Sequence, residues 1–200
     1  NLMTAGHGIV HTEDSATAGQ RVHAAQLWIA LPRPLADCAP AFEHYPSLPQ
    51  WTHAGCNFTL LVGSHDGHTA PTRVHTPLLG MDIASTQQAN VTLALNPRFE
   101  HAILPLEGEV TIGQQRFVQD EFAFIASGVE QLPLQLAPGS RILLIGGEPF
   151  AEPIVMWWNF VGFSKEAISA AQGEWETGAA RFGRVKGDEG RPLVAPALLW

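Results

Sequence analysis

Apolar and polar residues alternate with a period of two along most of the chain, so β-structure is the first expectation. In Val22 to Leu31 (VHAAQLWIAL) a regular strand would put His23, Ala25, Leu27, Ile29 and Leu31 on one face. Short runs of the same kind recur at 57–63, 76–84, 89–95, 101–106, 109–113, 116–118, 121–126, 131–136, 141–145 and 154–161. Turn residues separate them, which predicts an all-β sandwich or barrel. Residues 32–56 interrupt the pattern with Pro32, Pro34, Pro40, Pro46 and Pro49, which a central strand excludes, so this stretch reads as a linker or crossover. One segment has the helical period. Ser164 is placed as its N-cap, Glu166 lies in the first turn, and Ala167, Ile168, Ala171 and Trp175 form an apolar stripe ended by Gly178. Gly173 inside it costs about 1 kcal/mol relative to Ala, so packing must hold this helix. The tail after Gly183 ends PLVAPALLW and reads as an extended strap.

Composition narrows the class. Two hundred residues with 46% hydrophobic and 15% charged content can bury a real core, which argues against disorder. The 19 glycines and 15 prolines exceed average usage of about 7% and 5% and suit many turns between short strands. A net charge of −8 with two lysines argues against a nucleic-acid surface. No apolar run approaches the ~18 residues of a membrane helix, and the chain reads as cytoplasmic, without a membrane partner. Cys38 and Cys56 form no CxxC motif and read as free thiols of a reducing compartment.

Eight of the nine histidines lie in the first 75 residues, so a histidine-based site belongs to that end. His11 and Glu13, two apart, would point to one face of a strand about 6–7 Å from each other. An imidazole nitrogen and a carboxylate oxygen suit a transition metal, yet a surface His and Glu beside a turn fits the spacing too. His23 shares a face with Leu27, Ile29 and Leu31 and reads as a core histidine, as a third metal ligand or as a group that orients one. GSHDGHTAPTRVH (Gly63 to His75) offers His65, Asp66, His68 and His75, but Asp66-Gly67 is first of all a turn. Residues 100–128 resemble the second half of a cupin, a small jelly roll, with turns at Glu107-Gly108 and Gly113-Gln114. Metal-binding cupins carry a His-x-His pair before that Glu-Gly turn and a later His. The stretch LALNPRFEH has no such pair and Gln131 stands near the later position, so this half reads as a scaffold or a ligand-binding shell without metal.

Several ordered motifs make the resemblance specific. MTAGHGIVHTE, QLWIALP, HTPLLGMDI, GGEPFAEPIVMWWNF, the helix at 164–177 and RFG together resemble the pirin family over nearly the entire chain. The resemblance implies an all-β bicupin, two jelly-roll barrels with one C-terminal helix and a metal in the N-terminal barrel alone. Residues 1–45 would then be the end of that metal-site cupin plus a linker. Residues 46–200 would be the metal-free C-terminal cupin with its helix and strap. In the family the metal, generally iron, is held by a His-x-His pair and by the His and Glu of a Gly-Ile-Val-His-x-Glu stretch, which His11 and Glu13 match. The family's upstream His-Pro-His has no match in this sequence, so the N-terminal cupin is expected to be incomplete, with unpaired edges and an exposed apolar face over residues 1 to about 35.

The functional expectations follow from the resemblance. The first is an iron-dependent dioxygenase that opens a flavonol such as quercetin. His11 and Glu13 would be metal ligands, Glu13 also the catalytic proton acceptor, and His23 a residue on the wall of the same cavity. The alternative is a non-catalytic regulatory protein that binds a protein partner through an iron-dependent state, or a truncated form without metal activity. An apolar cavity that opens beside His11 and Glu13 would favour the enzyme, and an exposed patch at Trp157 and Trp158 would favour protein binding.

Overall fold

The computed structural model describes residues 1–14, 17–19 and 22–200. Chain order begins with β1 (Leu2–Thr4), β2 (Ala41–Glu43), β3 (Gln50–His53), β4 (Cys56–Val62), β5 (Ser64–His65) and β6 (His68–Thr69). It continues through β7 (Leu78–Ser85), β8 (Ala89–Ala94), β9 (Glu100–Glu107), β10 (Glu109–Ile112) and β11 (Gln115–Val118). Then come β12 (Ala123–Ile125), β13 (Gln131–Leu136), β14 (Arg141–Gly147), β15 (Val155–Trp157), β16 (Phe160–Gly162) and α1 (Lys165–Glu176). The chain divides into two compact units, one of Leu2 with His44–Pro149 and one of Asn1 and Met3–Glu43 with Phe150–Trp200.

The His44–Pro149 unit is built from two antiparallel sheets. The first has strand order β12-β9-β14-β7-β4-β3 and the second β11-β10-β13-β8. Alternation dictates the sandwich. In β8 and β13 every second residue is buried, so Val91, Leu93, Leu132, Leu134 and Leu136 form one inner face. Phe58, Leu60, Met81, Ile83, Ile103, Ile142 and Leu144 form the other, and the two faces share one hydrophobic core. Pro105 is tolerated in the central strand β9 because the β9–β14 register shifts there, between the pairs Glu107↔Arg141 and Pro105↔Ile142. On the outer surface Arg141 donates to both carboxylate oxygens of Asp82 across β14 and β7.

The strand expectations between 57 and 145 hold to within a few residues. The linker expectation for 32–56 does not hold throughout. Residues Arg33–Leu35 form a 3₁₀ turn, Ala41–Glu43 pair with β1, and Gln50–His53 form the edge strand β3. An edge strand tolerates flanking prolines because one side of it makes no ladder.

In the second unit Ser164 caps α1, its Oγ accepting from the Ala167 N–H at 3.1 Å. Ile168 and Gln172 are its buried residues. An aromatic cluster ties the helix to the β15–β16 hairpin and the following turn, with Trp158–Trp175 centroids 5.9 Å apart and Trp175–Phe182 5.2 Å. The expected strap is present. Trp175 Nε1 donates to the Leu193 carbonyl at 2.8 Å and Gln172 Nε2 to the Pro196 carbonyl at 3.0 Å. Trp157 and Trp158 are half-buried, and Trp157 packs edge-on against Trp200. The expected strand at 22–31 is not formed. Among the described residues 22–31 no β-ladder is formed, and Val22, Leu27, Trp28 and Ile29 are exposed. Alternation makes a strand only where a neighbouring strand takes up the backbone hydrogen bonds.

Candidate functional site

His11 and Glu13 lie on an irregular segment, Gly8 to Asp14, and both side chains are exposed. The segment leaves a fixed point. The His7 N–H donates to the Cys38 carbonyl at 3.0 Å, the Gly8 N–H to the Ala5 carbonyl at 2.9 Å, and the Arg181 guanidinium to the His7 carbonyl. Gly8 fits there because a Cβ would stand 3.2 Å from the Arg181 carbonyl oxygen. His23 is exposed as well, in the irregular stretch at 22–31. The donor atoms of His11 and Glu13 have the right chemistry for a transition metal. Among the described residues, however, no three His, Cys, Asp or Glu side chains come together to hold an ion. The pair does not close a metal site by itself.

A second constellation lies in the His44–Pro149 unit. A cavity of about 590 Å³ opens there, walled by Trp51, Phe58, Phe99, Leu79 and Val91, with His65 and Asn96 among its polar groups. The Asp66-Gly67 turn was legible in the sequence, and both residues take positive φ, +48° and +75°, closing the hairpin β5–β6. What the sequence did not reveal is where the flanking histidines go. Trp51 stacks on Phe58 at 5.0 Å between centroids, on His68 at 4.3 Å and on His65 at 6.3 Å.

His101 was also missed. On β9 it follows the inner-face parity of Phe99 and Ile103, is 2% exposed, and neither ring nitrogen has a hydrogen-bond partner among the described residues. A lone histidine in an apolar strand carries no signal beyond core packing. Burial pushes the His101 imidazole below its ordinary value, and His65 pushes it further. Burial lowers His65 too, with Asp66 opposing and His68 adding to the lowering. The unfolded chain therefore binds these protons more readily than the folded one. Stability is full above about pH 6.5 and falls as pH drops below it. Urea midpoints measured between about pH 7 and pH 5 should show that slope in the wild type and a flatter one in His101→Phe. An identical slope in the two proteins would contradict this.

Both cysteines are free thiols, and burial raises the pKa of Cys56. No helix among the described residues is long and apolar enough to cross a membrane.

Comparisons with known proteins bear on both regions. The chain is 52% identical over 200 residues to a Pseudomonas aeruginosa protein named "putative quercetin 2,3-dioxygenase", covering all of this chain and 64% of that one. It is 30% identical to a pirin-like protein of Caulobacter vibrioides, over 96% of this chain and 68% of the relative. Among solved structures, a quercetin 2,3-dioxygenase from Acinetobacter baumannii superposes with a TM-score of 0.82 at 38% identity, covering 86% of this chain and 57% of that one. The chain thus spans about two thirds of the length of these curated relatives. Residues 80–183 match the Pirin C-terminal cupin domain, a stretch that begins in the barrel strand β7 and runs through α1 to the turn after it. With the jelly-roll barrel, the family match over 80–183 and relatives aligned along nearly all of this sequence, the chain belongs to the pirin family.

Proposed function

We propose that this chain is the greater part of a pirin-type dioxygenase that uses an iron ion to open a flavonol such as quercetin. One observation carries the reading, the 52% identity along the whole chain to the Pseudomonas aeruginosa protein of that name. In this reading residues 1–45 are the end of the metal-carrying cupin and residues 46–200 the metal-free one. His11 and Glu13 provide two ligands, and the others come from residues outside this 200-residue sequence. A metal so held supplies Lewis-acid chemistry to the bound flavonol.

The residues of this chain divide the work. His11 presents a neutral imidazole nitrogen. Glu13 presents a carboxylate and accepts the proton of the flavonol hydroxyl. The hydrogen bonds at His7 and Gly8 fix the backbone from which both project. His23 stands beside the metal site and orients a ligand there.

The test is oxygen uptake by the full-length gene product, purified without chelator and given quercetin in an oxygen electrode. Uptake that needs quercetin and is lost on chelation is expected. A metal-loaded protein that consumes no oxygen with quercetin overturns the reading.

A further inference from the structure

The cavity of about 590 Å³ in the His44–Pro149 unit changes character from its floor to its mouth. Phe58, Leu79, Val91, Leu93 and Phe99 are buried lining residues that belong to the hydrophobic core. His65 and Asn96 are half-buried, and Ser64 and Asp66 are exposed at the rim. Among the described residues that line the cavity there is no Lys or Arg and one carboxylate, that of Asp66. Asp66 is held where it stands. It takes φ +48° at the tip of the β5–β6 hairpin, a backbone region that Asp tolerates. The base of the hairpin is closed by the Ala70 N–H, which donates to the Gly63 carbonyl at 2.9 Å, and by a 2.9 Å hydrogen bond between the Ser64 and Thr69 hydroxyls. Its second arm lies on the cavity wall, where His68 stacks on Trp51 at 4.3 Å between centroids. Among the described residues no Lys or Arg forms a salt bridge with Asp66. Burial holds the neighbouring His65 below the ordinary imidazole value, so near neutral pH it does not cancel that charge.

We propose that this cavity binds a small organic amine as its ammonium ion, with the apolar body of the ligand against Phe58, Leu79 and Phe99 and the cationic head at the Asp66 carboxylate. Each element of the ligand class follows from the lining. The volume lies within the roughly 300–1,000 Å³ of small-molecule sites. The buried apolar side chains take up a hydrocarbon body through the hydrophobic effect. An ammonium group has donors alone, and a carboxylate accepts from it. A cleft walled by low-dielectric side chains and carrying charge of one sign concentrates the opposite charge. An anionic ligand meets Asp66 as a like charge and finds no Lys or Arg in the lining to pair with. The site lies outside the His11–Glu13 segment, needs no metal and takes a ligand of opposite character to a flavonol, so it does not rest on the dioxygenase reading.

The experiment titrates cyclohexylmethylamine, cyclohexylmethanol and cyclohexanecarboxylate into the full-length gene product by calorimetry at about pH 7.5. The three share one apolar body and are cationic, neutral and anionic. In the wild type the amine should bind at least about threefold tighter than the alcohol, the scale of one exposed ion pair, and the carboxylate should bind most weakly. Asp66→Asn removes the charge and keeps the turn, because Asn tolerates the same backbone region. It should bring the amine to the affinity of the alcohol and leave the alcohol unchanged. Asp37→Asn removes an exposed carboxylate of the other unit and should leave all three affinities as in the wild type, which separates a local attraction from that of the net charge of −8. The order of the three ligands in the wild type is a test by itself if Asp66→Asn does not fold. Absence of amine binding, or an amine that binds no tighter than the alcohol, overturns the proposal. So does a preference for the amine that survives in Asp66→Asn.

Discussion

Glu13→Gln is expected to lower quercetin-dependent oxygen uptake by at least about 100-fold, the scale of losing a positioned general base. Glutamine keeps the length of the side chain and one oxygen. It loses the negative charge and the ability to take a proton from the flavonol hydroxyl. The fold should not respond, because Glu13 is exposed and the backbone fixing its segment is held upstream, at His7 and Gly8. Circular dichroism and urea midpoint should therefore match the wild type. A loss of less than about threefold, with the metal retained, would remove Glu13 from the catalytic role.

Leu144→Ala is expected to destabilise the barrel by about 2–5 kcal/mol. Leu144 lies in β14, the third strand of the six-stranded sheet, opposite Ile103 on one side and Met81 on the other. All three side chains are 0% exposed. Neighbours pinned in two ladders cannot close over the vacated space, so the cavity persists. Phe124→Ala is the contrast. Phe124 is 62% exposed on the edge strand β12, and its loss should change stability by about 0.5 kcal/mol or less. Urea denaturation of the two variants decides. A cost below about 1 kcal/mol for Leu144→Ala would mean the sheets do not pack as described.

The parts of this molecule written in local pattern were legible in the sequence. The alternation in β8 and β13, the Asp66-Gly67 turn and the Ser164 cap each depend on residues close together in the chain, and each was found where expected. Two failures have a common cause in tertiary context. Residues 22–31 alternate well but have no neighbouring strand among the described residues, so they form none. Gln50–His53 lie among prolines yet form the edge strand β3, because pairing with β4 supplies what local propensity lacks.

The candidate sites divide in the same way. His11 and Glu13 stood out through a motif. His101 did not, because its packing against Gly146 arises only when β9 pairs with β14. His65 and His68 were legible as turn-flanking residues, but their stacking on Trp51 arises only when β3 and the β5–β6 hairpin meet.

The most direct test of the metal-site account is the metal content of the full-length gene product, measured by plasma mass spectrometry beside its His11→Ala variant. The account predicts about one iron ion per chain in the wild type and at least a tenfold lower content in His11→Ala, with the fold retained. Undiminished metal in His11→Ala would contradict it, and would mean that the Gly-Ile-Val-His-x-Glu stretch of this chain holds no metal.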